Sequence, residues 1–91
     1  MLERQPREDR TEVTFVLAQE TPPGPVSVVG DFNGWQPGTH TLSPRTDGTR
    51  AVTVILPSES EHSFRYLAAG DYWFDEPAAD HHDGLNNRLH T

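Results

Sequence analysis

The chain has 91 residues, 14 acidic against 7 basic, and carries −7 at pH 7 with no lysine and no cysteine. That length fits one domain and not two, and the missing cysteine excludes disulfides and thiolate chemistry. So acidic a chain argues against nucleic acid and anionic membrane as partners, since both need a basic surface, and is compatible with a neutral ligand.

Residues 1–10 are polar and mixed in charge. They are expected to form a flexible segment ahead of a single domain over 11–91. Met1-Leu2-Glu3-Arg4-Gln5 lacks the apolar stretch of a secretory signal, and no apolar run approaches the roughly 20 residues of a membrane span. With the lack of cysteine, this places the expected location in the cytoplasm.

Thr11 to Ala18 alternates, with Val13, Phe15 and Leu17 on one face and Thr14, Val16 and Ala18 on the other, and reads as a first strand. Glu20-Thr21-Pro22-Pro23-Gly24-Pro25 stops it, because proline cannot donate to a ladder. Val26 to Val29 reads as a second strand. Gln36 to Pro44 is a loop that Leu42 plugs into the core, with room for a short strand. Asp47-Gly48 carries a hairpin signal. Ala51 to Leu56 alternates again, with Val52, Val54 and Leu56 on one face, and Pro57 ends it. Ser63 to Ala68 puts Phe64 and Tyr66 on one face and Arg65 and Leu67 on the other. Tyr72-Trp73-Phe74 follows a turn, and Asn87 to Leu89 makes a last short strand. No segment has a helical period. About seven short strands separated by turns indicate an all-β, immunoglobulin-like sandwich of antiparallel strands. A chain this small buries only about 60–65% of its unfolded surface, and two packed sheets are a natural way to make a thin core.

Gly30-Asp31-Phe32-Asn33-Gly34-Trp35 is the most informative stretch. Its glycines permit φ > 0, and Asp31 and Asn33 favour turns. A strand therefore ends in a tight corner that fixes two rings. One ring is free to turn inward, and the other to stay as a flat surface. Asn33 is expected to hold the corner.

A strand ending in Gly30-Asp31-Phe32-Asn33-Gly34-Trp35 resembles carbohydrate-binding module family 48. This is the isoamylase N-terminal, or early-set, domain, and it includes the glycogen-binding domain of the AMP-activated protein kinase beta subunit. Phe64-Arg65-Tyr66-Leu67, then Gly70, Trp73 and Asp75, then Ala78-Ala79-Asp80 and Asn86 extend the match over roughly residues 11 to 90. The resemblance implies an early-set sandwich that binds α-1,4-glucans by aromatic stacking. Trp35 matches the first platform ring. Tyr72 and Trp73 both fall near the second, one by the kinase-subunit spacing and one by the bacterial form. Arg65 matches the basic residue and Asn86 the asparagine that bond glucose. The chain departs from the family at Ala69, where an acid is common, and over residues 80–84, which are shorter and more polar.

The chemistry of these residues fits a sugar. An indole covers the C–H face of a glucose ring with few rotamers to freeze, and guanidinium and amide groups bond its hydroxyl rim. Each also has a plainer reading: the tryptophans as core, Arg65 paired with Asp71 or Asp75, and Asn86-Asn87 as a turn. Asp80-His81-His82-Asp83 offers metal-ligating atoms, but neighbours on an extended chain point apart and no further ligands are evident, so no metal is expected. Carboxylates such as Asp75 and Glu76 read as solvated acids of turns, so neither catalysis nor a cofactor is expected. The expected function is a non-catalytic module for glycogen- or starch-type glucans. Its partners are the polysaccharide or oligosaccharide and a glycogen- or starch-metabolising or regulatory protein. The alternative is an early-set module for protein interaction or structure, without sugar binding.

Overall fold

Nine strands form over the described residues (2–19, 22–77, 79–82, 84 and 86–91) of the computed structural model. They are β1 (Leu2–Pro6), β2 (Arg10–Ala18), β3 (Val26–Gly30), β4 (Ser43–Pro44), β5 (Thr49–Pro57), β6 (Glu61–Ala68), β7 (Tyr72–Phe74), β8 (His81–His82) and β9 (Asn87–His90). The first sheet runs β1-β2-β5-β4. The second runs β3-β6-β9-β8, with β7 also paired to β6. Setting aside β7 and β8, these are the four- and three-stranded sheets of an immunoglobulin-type sandwich.

The inner faces are the ones the alternation indicates. Val13, Phe15, Val54, Leu56, Phe64 and Tyr66 are buried between the sheets, while Ile55 on the opposite face of β5 is 61% exposed. Phe15 is the centre of the packing, with its ring 5.1 Å from Phe64, 6.4 Å from Tyr66 and 5.9 Å from Phe32. Such offset and edge-on contacts add to simple burial. Leu42 does plug the 36–44 loop into the core. Around it the chain closes the free edge of β3: Val28 N donates to His40 O and Leu42 N to Val26 O, both at 2.9 Å. Immediately after Leu42, Ser43–Pro44 has crossed to the first sheet as β4.

Two expectations need correction. Residues 2–6 are not a loose leader but the edge strand β1, paired in register with β2 from Leu2↔Phe15 to Pro6↔Thr11. The strand is mostly exposed and lacks an apolar side, which is why alternation misses it. Partners far along the chain fix it. Arg4 donates to Asp80 at 2.5 Å, and Glu3 accepts from Arg45 at 3.4 Å. The same Asp80 Oδ2 accepts from His90 N at 2.7 Å, so one carboxylate joins the first strand to the last.

The second correction concerns Glu76. It is not a solvated turn acid: only 1% of it is exposed. Tyr66 Oη donates to its Oε1 at 2.7 Å, and its N–H donates to Asn87 Oδ1 at 3.2 Å. Asn87, fully buried, donates in turn to Phe64 O at 3.1 Å. A buried carboxylate is strongly unfavourable without partners of this kind. Burial, reinforced by the negative charge and hydrogen bond of Glu76, pushes the Tyr66 hydroxyl far above the usual tyrosine range.

Candidate functional site

The corner after β3 forms as its residues dictate. Residues 31–33 make one 3-10 turn, and Gly34 follows in the left-handed region at φ 66°. Asn33 holds the corner from both sides: its Oδ1 accepts from Gly30 N at 3.1 Å and its Nδ2 donates to Val28 O at 3.0 Å. Asp31 ties it to β6, accepting from Ser63 N at 3.1 Å and lying 2.9 Å from His62 Nδ1. Gly30 is required for space rather than for φ. A Cβ there would lie 2.6 Å from both Ser63 O and the Phe32 ring. Phe32 turns inward onto Phe15, and Trp35 is left 40% exposed. Trp35 is itself left-handed, at φ 58°, with its N–H donating to Gly30 O at 2.9 Å. A bulky residue in that region carries about 1–2 kcal/mol of strain, which persists only where the surroundings enforce it.

The second group of residues stands on the outer face of the second sheet. Leu67 pairs with Trp73, and alternation places Arg65 on the same face two residues away. Trp73 is 39% exposed, and the Arg65 guanidinium lies over its ring, 5.6 Å from the centroid. Tyr72 faces the other way. It stacks on Phe74 at 5.5 Å, and Phe74 stacks on Tyr66 at 5.1 Å, so Tyr72 extends the core rings to the surface rather than joining Trp73. The two rings near the second platform position thus point to opposite faces, and Trp73 is the one beside Arg65.

Continuing the β6–β7 register by one residue sets Asp75 across from Arg65. Their closest atoms are 3.9 Å apart, Arg65 Nε to Asp75 Oδ1. Arg65, Asp75, His82, Gly84 and Asn86 line an open cleft of about 220 Å3. His82 is fixed there by a 3.0 Å contact between its Nε2 and Glu76 O. Of the five candidates, Arg65 and Asn86 therefore share the cleft, and Trp73 adjoins it through the Arg65 guanidinium. Trp35 lies in the corner beyond β3, and β3 pairs with the flank of β6 opposite β7, so strand spacing alone sets β3 about 10 Å from the Trp73-bearing β7. Tyr72 faces away.

Asp75, which the sequence offered with Asp71 as a partner for Arg65, and His82, offered only as part of a metal cluster, are members of the cleft not assigned to the sugar site from sequence. The register of β7 on β6 is the signal that brings in Asp75. For His82 no local signal exists, since its place depends on the β8–β9 pairing of His82 with Asn87. Asp83 of the possible metal cluster and Ala78 of the family match lie outside the described residues, as do Glu20, Thr21 and Leu85. Among the described residues no group of three potential metal ligands forms, and no helix is long and apolar enough to cross a membrane. A larger hollow of about 540 Å3, mostly apolar, opens beside Leu17, Ala18, Thr49 and Pro77, and none of the five candidates lines it.

No family model matches the chain, and no curated protein is significantly similar to it.

Proposed function

We propose that this chain is a non-catalytic module that binds α-1,4-linked glucans of the glycogen or starch type. The observation that carries the reading is the outer-face group: an exposed indole, a guanidinium laid over it, and a polar cleft beginning at its edge. A sugar ring needs this combination, a flat apolar surface for its C–H face and donors and acceptors for its rim. The strained, exposed Trp35 supports it as a second stacking surface, which a chain of several sugars would reach and a single sugar would not. The resemblance of Gly30 to Trp35 and of the Phe64–Asp75 block to carbohydrate-binding module family 48 gives the same ligand class.

Two further features favour binding over hydrolysis. Glycoside cleavage takes a pair of carboxyl groups flanking the bond. Here Glu76 is buried against Tyr66, which leaves Asp75 as the acid on the cleft among the described residues. The cleft is also shallow, so affinity is expected in the micromolar to millimolar range, about −4 to −8 kcal/mol. Such a module would work in the cytoplasm, carried with a glycogen- or starch-metabolising or regulatory protein.

Intrinsic tryptophan fluorescence, titrated with maltoheptaose and in parallel with cellohexaose, tests the reading. Trp35 and Trp73 are the only tryptophans, so a stacked sugar perturbs a large share of the signal. A saturable change with the α-glucan alone is expected, abolished by Trp73→Ala and weakened by Trp35→Ala in variants that keep the wild-type melting temperature within a few degrees. No response up to millimolar sugar would reject the glucan reading in favour of a protein-interaction module.

A further inference from the structure

The surface arginines are mostly closed on carboxylates. Arg4 reaches Asp80 at 2.5 Å, Arg7 reaches Glu12 at 2.8 Å, Arg45 reaches Glu3 at 3.4 Å and Arg10 reaches Asp9 at 3.5 Å. Arg88 is paired with Glu61. Arg65 is different. Its nearest carboxylate oxygen, on Asp75, is 3.9 Å from Nε, beyond hydrogen-bond length. That Nε is buried and has no acceptor among the described residues. What holds the guanidinium is the Trp73 ring. Asp75 is mostly exposed, with 59% of its side chain open to solvent. The cleft therefore presents an acceptor that lies in ion-pair range of Arg65 without a hydrogen bond to it, beside a cation whose guanidinium lies over the Trp73 ring.

We infer that Asp75 and Arg65 form a clamp for a vicinal diol. Asp75 accepts a hydrogen bond from one hydroxyl, and an Arg65 Nη donates to its neighbour. The inference rests on the glucan reading above and assigns Asp75 as its specificity-determining residue. An internal residue of an α-1,4-linked glucan has one free vicinal pair, O2 and O3, because O4 is in the linkage and O6 is a primary alcohol set apart. The clamp therefore reads O2 and O3 of the sugar stacked on Trp73 and leaves O6 unread. This makes the site tolerant of chains substituted at O6, which are the branch points of such polymers, and intolerant of changes at O2 or O3. Asp75 at the cleft also selects against ligands with an acidic substituent on that diol.

The experiment compares maltoheptaose with its O6-methylated and its O2,O3-methylated forms, titrated by tryptophan fluorescence and calorimetry against wild type and Asp75→Asn. Wild type is expected to bind the parent and the O6-methylated chain alike, and the O2,O3-methylated chain at least tenfold more weakly. Asp75→Asn, at an exposed position, is expected to keep the wild-type melting temperature. It should bind the parent several-fold more weakly, about 1 kcal/mol, because the amide oxygen still accepts but the charge that strengthens the bond is gone. If wild type binds none of the three, the glucan reading falls and this inference with it. If wild type binds the parent but Asp75→Asn binds equally well, or the O2,O3-methylated chain is not discriminated, the diol clamp alone is overturned.

Discussion

Tyr66→Phe tests whether the buried Tyr66–Glu76 pair stabilises the sandwich in the way its geometry requires. The change removes one oxygen and leaves the ring that packs on Phe15, Phe64 and Phe74 in place. Both partners are buried, so the variant keeps a desolvated carboxylate after taking away its 2.7 Å donor. A hydrogen bond to a charged group of this kind is worth about 1.5–3 kcal/mol. For a chain of this size that is a fall of roughly 6–20 °C in melting temperature. The second half of the prediction is a pH dependence. The folded chain holds the Tyr66 proton more tightly than the unfolded chain, in which tyrosine titrates near pH 10. The stability this group contributes is therefore complete below pH 10 and declines above it, by about 1.4 kcal/mol per pH unit. Urea denaturation followed by far-UV circular dichroism at pH 8 and pH 11 measures both halves. Tyr66→Phe is expected to be less stable at pH 8, and the gap to wild type to narrow by about 1.4 kcal/mol at pH 11. Equal stability at pH 8, or an equal loss in the two proteins on going to pH 11, would falsify the argument.

Three other substitutions probe the supports of the site. Gly30→Ala places a methyl against the Ser63 carbonyl and the Phe32 ring, and is expected to lower stability by about 2–3 kcal/mol in denaturant titrations. Asn33→Ala removes the side-chain bonds to Gly30 N and Val28 O and is expected to lose about 2 kcal/mol, while Asn33→Asp, which keeps the acceptor for Gly30 N but sets a carboxylate oxygen against Val28 O, loses at least as much. Arg50 is 5% exposed and donates to Pro22 O and Gly24 O at 2.6 and 2.7 Å, pinning the β2–β3 connection, and burial lowers its pKa. Arg50→Met is expected to destabilise by about 2–3 kcal/mol in the same assay, because its stem is replaced but two carbonyls lose their donors.

What the sequence reveals here divides along physical lines. β2, β5 and β6 carry alternation because one face of each meets the core, and that pattern is local. β1 and β8 carry none. β1 holds its place through Glu3, Arg4 and their distant partners, and β8 is two exposed histidines paired across a turn. The corner at Gly30–Trp35 is legible because turn chemistry is also local, but which ring turns in is not: the contact of Phe32 with Phe15 decides it and leaves Trp35 out. The choice between Tyr72 and Trp73 is not, since adjacent strand residues look equivalent until a register assigns them faces. Glu76 is the clearest miss. A carboxylate after Asp75 and before a proline reads as solvated, and its burial becomes tolerable through partners such as the hydroxyl of Tyr66, which reaches out from a neighbouring strand.

The bond from Arg4 and the bond from His90 end on the same oxygen of Asp80, so one exposed carboxylate ties the edge strand of the first sheet to the last strand of the second. The two sheets are thereby latched at their rim as well as packed through their core rings. A latch of this kind opens in one step: removing that single side chain would release both strands together and leave the aromatic packing between the sheets as it was.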